Sequence, residues 1–126
     1  MGIDLTVCPV KWDNTTWWLL HERLGFNRNY ELFAQMGMGG VEDEDGNLLQ
    51  SVFEDSPIPE GVRVEWYGDE GIEIRTTNPY GEPLTFVRAK EFRKVKTDKT
   101  IGKWNLSIIK FLQGLPAETP VVLWWH

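Results

Sequence analysis

Five apolar residues in a row, Val121-Val122-Leu123-Trp124-Trp125, constrain this chain more than any other stretch. They lack the two-residue alternation of a half-exposed strand, so they read as a strand covered on both faces. Such a strand belongs in the interior of a sheet. It demands neighbours on both edges, and the rest of the chain has to supply them.

Taken in order, the sequence does supply them. Ile3, Leu5 and Val7 alternate with Asp4, Thr6 and Cys8, which predicts a strand running to about Val10. Pro9 has no N–H to give to a ladder, which places this strand at an edge or bulges it there. Asp13-Asn14 is a turn signal. Residues 16–24 then read either as the second strand of a hairpin or as a short helix through Trp17, Leu20 and Leu24. Their β-branched and aromatic start favours the hairpin. Asn29 is placed to cap a short helix carrying Tyr30, Leu32, Phe33 and Met36, ended by Gly37-Met38-Gly39-Gly40. An Asp45-Gly46 turn suits a small hairpin closing onto Leu48 and Leu49.

The clearest hairpin follows. Val62, Val64 and Trp66 alternate with Arg63, Glu65 and Tyr67; Gly68-Asp69-Glu70-Gly71 turns; Ile72 and Ile74 alternate with Glu73 and Arg75. The turn cluster Asn78–Pro83 leads to a further strand, Leu84–Val87. Two helices are predicted next, one over Ala89–Val95 with Phe92 and Val95 inward. The other starts after Asp98 or Thr100, with Ile101, Trp104, Ile108, Phe111, Leu112 and Leu115 on one stripe. The sum is a single α+β domain over residues 1–126. Its expected architecture is a mostly antiparallel sheet of five to six strands, with two C-terminal helices packed on one face.

Charge is distributed unevenly. From Glu42 to Glu73 there are 11 acidic residues against Arg63 alone, whereas from Ile74 to Lys110 there are 9 Lys or Arg against three acids. Either the two segments face one another or the surface is bipolar, with one pole meeting a partner. Seven Trp residues add to this. Trp66, Trp104 and Trp124 suit core positions, but Trp12, Trp17, Trp18 and Trp125 cannot all be inside with their N–H groups satisfied. Exposed Trp beside charge is an interface signature.

Chemistry is harder to find. One Cys and two His far apart in the chain give no zinc pattern, and the Glu42–Asp45 run fails the calcium-loop register at both Val41 and Val52. No metal or cofactor is expected. Cys8 with His21, across the first hairpin, is the one Cys–His pair that could meet, and a buried thiol is the commoner outcome. Carboxylate pairs (Glu65 with Glu73, Asp69 with Glu70) would suit a small hydrolase, though acidic hairpins are usually just hydrated. An enzyme is the weaker expectation. Arg88, Lys90, Arg93, Lys94 and Lys96, continued by Lys99 and Lys103 and interleaved with Phe86, Phe92 and Trp104, form the best nucleic-acid candidate. A single Cys and the lack of a secretory or membrane-spanning segment lead to the expectation of a cytoplasmic protein.

The opening Gly2–Pro9, the central Asn78–Thr85 and the ending Pro120–His126 resemble small uncharacterised proteins encoded by tailed bacteriophages. That resemblance carries no functional residues. It implies a context: a small acidic protein working in the host cytoplasm and binding a host component. With the charge and Trp patterns, it leads to an expected protein-interaction module that binds or inhibits a host protein. The candidate contact residues are Glu65, Tyr67, Asp69, Glu70 and Glu73 on the acidic hairpin. Nucleic-acid binding through 88–103 is the alternative.

Overall fold

The structure is a computed structural model that describes residues 2–20 and 22–126. The run that opened the sequence reading is the hub. Strand β8, Pro120–Trp125, lies between β7, Thr85–Arg88, and β1, Leu5–Asp13, antiparallel to both. Its alternate residues feed two different cores, which is why its sequence does not alternate. Val121 and Leu123 join one apolar cluster and Val122 joins the other.

Beyond β1 come β2, Trp17–Leu20, then β5, Arg63–Gly68, and β6, Gly71–Arg75. Two-residue strands complete the set: β3, Leu24–Gly25, beside β1, and β4, Ser56–Pro57, beside β7. The described residues thus form one mixed sheet in the order β4-β7-β8-β1-β2-β5-β6, with β3 also paired to β1. The expected five to six strands are exceeded. The pairing is antiparallel throughout except for β2 with β5, which run parallel in the register Trp17↔Arg63, Leu19↔Glu65. A parallel pair needs a long crossover, and the helix and loops between residues 25 and 62 provide it.

Trp17–Leu20 form a strand antiparallel to β1, as the hairpin reading expected. Asn14 builds the turn by accepting hydrogen bonds from the N–H groups of Thr16 and Trp17 at 2.8 and 2.9 Å. Pro9 does not sit at an edge. It pairs with Val121 inside the sheet, at a place where the ladder on its other side lapses between Val7 and Val10. There the missing N–H is not needed. The bulge falls two residues later. Val10 pairs with Leu20 and Trp12 with Leu19, so Lys11 is the extra residue.

The two clusters lie on opposite faces of the sheet. One face of β7-β8-β1 is covered by α1, Tyr30–Gln35, by a 310 helix, Ala89–Lys94, and by α2, Lys103–Gln113. The other face curls around Cys8, Val10, Trp18, Leu20, Val64, Trp66, Phe86 and Val122, so the sheet covers itself there. Asn29 caps α1 as predicted, accepting from the Leu32 N–H.

Two helical expectations need correction. The first C-terminal helix is a six-residue 310 segment, Ala89–Lys94, whose opening N–H groups on Ala89 and Lys90 are satisfied by the carbonyls of Thr119 and Ala117. In α2 the buried residues are Asn105, Ile108, Ile109 and Leu112, so the predicted stripe holds at Ile108 and Leu112, and at Ile101 before the helix, but fails at Trp104 and Phe111. Asn105 turns inward because its amide closes both backbone groups of Asn27, donating to the carbonyl at 3.0 Å and accepting from the N–H at 2.7 Å. The stripe rotates accordingly, and Trp104 and Phe111 are left on the surface. Trp104 therefore is not the core residue expected of it. Its indole N–H instead donates to the Gly25 carbonyl at 2.8 Å.

Candidate protein-interaction face

The helical layer covers only part of the sheet face it sits on. Along β1 the side chains of Leu5 and Val7 point into that layer, and Cys8 and Val10 point the other way. Strict alternation would send Trp12 inward with Val10. The Lys11 bulge reverses the sense, and Trp12 comes to lie opposite Leu19 on the helix side of the sheet. The registers then define a row across four strands: Trp12, Leu19, Glu65 and Ile74. Flanking it on the same face are Trp17 opposite Arg63 and Tyr67 opposite Ile72.

No helix covers this half of the face. Trp12, Tyr67, Ile72 and Ile74 are 57%, 61%, 57% and 55% exposed, and Trp17 and Leu19 are half-buried. Glu65 sits among them, its side chain mostly covered and paired with Arg63 at 3.6 Å. Asp69 and Glu70 stand exposed at the β5–β6 turn. The result is an aromatic and aliphatic surface with acidic groups at its rim. Surfaces of this kind are built for contact with other molecules.

Of the five residues expected on the acidic hairpin, the structure keeps Glu65, Tyr67, Asp69 and Glu70 together and removes Glu73. Glu73 opposes Trp66 and lies on the inner face. It accepts a hydrogen bond from the Trp66 indole N–H at 3.0 Å and another from Arg75. The indole hydrogen bond, then the Arg75 guanidinium and more distant Arg23, hold its carboxyl below the ordinary value. Arg75 and Arg23 also lie over the Trp66 ring, at 4.4 and 5.0 Å from its centre. The group locks the inner end of the hairpin against Trp124, whose ring meets Trp66 edge-on at 4.8 Å. Glu65 and Glu73 are therefore on opposite faces and cannot act as the catalytic pair considered from sequence.

The basic segment is placed elsewhere. Arg88 donates to the Glu118 carbonyl, Lys90 pairs with the Glu118 carboxylate at 3.0 Å, and Lys94 pairs with buried Glu91 at 3.1 Å. Arg93 and Lys96 are exposed on either side of Lys94. Of the three aromatics that were to stack bases, Phe86 lies in the inner core and Phe92 beneath the 310 helix, whereas Trp104 is exposed. Among the described residues, the one ion pair joining the acidic and basic segments is Arg75–Glu73, within β6 itself. The two segments nevertheless touch, since the Glu54 N–H donates to Glu91 Oε1 at 3.0 Å and Ser56–Pro57 pairs with Phe86 and Thr85.

Cys8 is fully buried, and burial pushes its thiol up to about 12. It is poorly suited to be a nucleophile. Its proposed partner His21 lies outside the described residues. Sequence reasoning missed Trp12, Trp17, Leu19, Ile72 and Ile74 as members of one surface. The alternation in Ile72 and Ile74 was visible, but the bulge that turns Trp12 outward and the parallel β2–β5 pair were not.

Among the described residues no helix is long and apolar enough to cross a membrane. Set against known proteins, the chain matches no family model, no curated protein and no solved structure.

Proposed function

We propose that this protein is a non-enzymatic interaction module whose bare outer sheet face, β1-end–β2–β5–β6, binds another protein. The observation that carries the reading is the sheet face itself. Helices cover one half, and the other half leaves Trp12, Tyr67, Ile72 and Ile74 in water. A second layer packed there would complete the two-layer architecture on that side. Charge complementarity selects the occupant. Asp69 and Glu70 rim the face, so the partner presents an apolar patch bordered by Lys or Arg. The sequence resemblance to bacteriophage accessory proteins supports a host protein in that role, with inhibition or redirection of the host factor as the outcome. Nucleic-acid binding through Arg88, Lys90, Arg93, Lys94 and Lys96 is the weaker reading, because Lys90 and Lys94 are paired with Glu118 and Glu91 and, of the three interleaved aromatics, Trp104 alone offers an exposed ring.

The test is affinity capture from nuclease-treated bacterial extract, followed by titration of the captured protein against variants. Trp12→Ala or Tyr67→Ala should weaken binding by about 2 kcal/mol each, roughly 30-fold, as central aromatic anchors do. Reversing Asp69 and Glu70 to Lys should weaken it further and slow association. Unchanged affinity in all of these would rule the face out, and recovery that depends on nucleic acid would transfer the function to the basic segment.

A further inference from the structure

A separate feature lies on the opposite end of β8. A cavity of about 530 Å³ is lined by Trp125, Tyr80, Met38 and Glu82 together with Gly37 and Gly39. That volume lies within the range of small-ligand sites. Its walls are held in place by the fold. The Trp125 ring packs edge-on against buried Phe33 at 5.9 Å. Tyr80 and Glu82 sit on the turn organised by buried Asn78, whose side-chain oxygen accepts from the Tyr80 and Glu82 N–H groups at 2.9 and 3.1 Å. The Asn78 amide also donates to Glu82 Oε1 at 3.1 Å, which fixes the carboxylate in orientation. At Gly37 and Gly39 a side-chain carbon would meet nothing, so the glycines leave one wall open.

The chemistry of the lining is specific. Two electron-rich aromatic rings and a thioether surround the space, and a carboxylate stands at its side. Among the described residues no Lys or Arg pairs with Glu82. Arg28, which comes near Tyr80, is already held by Asp4 through two hydrogen bonds at 3.1 and 2.8 Å. Aromatic faces attract cations through the ring quadrupole, most strongly when the cation is shielded from water. A bulky alkylated ammonium also gains from contact with the rings and Met38, which a compact hydrated ion does not.

We propose that this cavity binds an organic cation of the alkylammonium class, with Trp125 and Tyr80 as its aromatic walls and Glu82 as its counter-charge. The cation can be a free small molecule or an alkylated lysine side chain of another protein. The site is independent of the outer sheet face.

The experiment is a titration followed on the Trp125 indole N–H and the amides of residues 80–82 by nuclear magnetic resonance, at constant ionic strength. The first probe is choline, and the second is its uncharged isostere with carbon in place of nitrogen. Choline should saturate these signals, and the isostere should bind at least about tenfold more weakly, the factor that 1.4 kcal/mol of charge recognition gives. Glu82→Gln keeps an acceptor for Asn78 and should lower choline affinity by a similar factor; Tyr80→Leu should weaken choline but not the isostere. A third probe, a peptide containing trimethyllysine, separates the sources: tighter binding than choline assigns a protein side chain, weaker binding a free cation. Absence of saturable shifts at these residues, or equal affinity for choline and its isostere, would overturn the proposal. Both substituted residues are exposed, so the variants should keep the amide spectrum of the parent.

Discussion

Cys8 lies on the inner face of β1 among Val10, Trp18 and Val122, and burial there raises its thiol from 9.0 to about 12 while the charge of Arg23 pulls weakly the other way. In the unfolded chain the thiol ionises near its ordinary value, so above about pH 9 the unfolded state loses a proton that the folded state keeps. Stability should therefore fall as pH rises from about 9 towards 12, and Cys8→Ala should flatten that slope in denaturant melts. Reaction with a thiol reagent should be slow and should track unfolding. Asn105 shows the opposite use of a polar atom. Replacing it by Leu leaves the Asn27 N–H and carbonyl without their partners, and should cost about 1–3 kcal/mol in a denaturant titration. The burial of Cys8 was expected from the usual place of a thiol on a strand, whereas alternation grouped it with Asp4 and Thr6; the second core on that face of the sheet is what covers it. Asn105 could not be read from the sequence, since a polar residue on the inward face of α2 contradicts hydrophobic periodicity and is explained only by a loop 78 positions away.

Among the elements, the bulge in β1 has the largest consequence. Lys11 is one residue in excess of β2, and it alone sends Trp12 to the outer face. Deleting Lys11 removes the bulge and makes Trp12 follow Val10 directly, so regular alternation keeps Trp12 opposite Leu19 on the outer face. The expected result is unchanged access of a fluorescence quencher to Trp12; shielding of Trp12 in the deletion variant would refute this role of the bulge. The strands themselves were largely legible: β1, the β5–β6 hairpin, β7 and β8 all follow from alternation or from its absence. The parallel partnership of β2 with β5 was not, because it is closed by a crossover whose loops carry no regular pattern. Nor was the 310 form of residues 89–94, whose first N–H groups find their partners at residues 117 and 119, far along the chain.

For the whole molecule, β8 is the hub that the sequence pointed to. Leu123 is buried between β1 and β7, and Leu123→Ala should cost about 2–5 kcal/mol. Tyr67→Ala, on the bare face, should change stability by less than about 0.5 kcal/mol, so any loss of binding it causes is not a loss of fold. The candidate face was half legible. The acidic hairpin and the surplus of Trp were visible, but the division of one sheet face into a covered and an uncovered half appears only when the strands are ordered. The most direct measurement places a photo-crosslinking residue at Ile72, on the bare face, and in parallel at Arg93, on the basic segment. Each protein is irradiated in nuclease-treated bacterial extract. The account predicts one protein adduct of defined mass from position 72, lost on Trp12→Ala and Tyr67→Ala, and none from position 93. An adduct from position 93 with none from position 72 would contradict it.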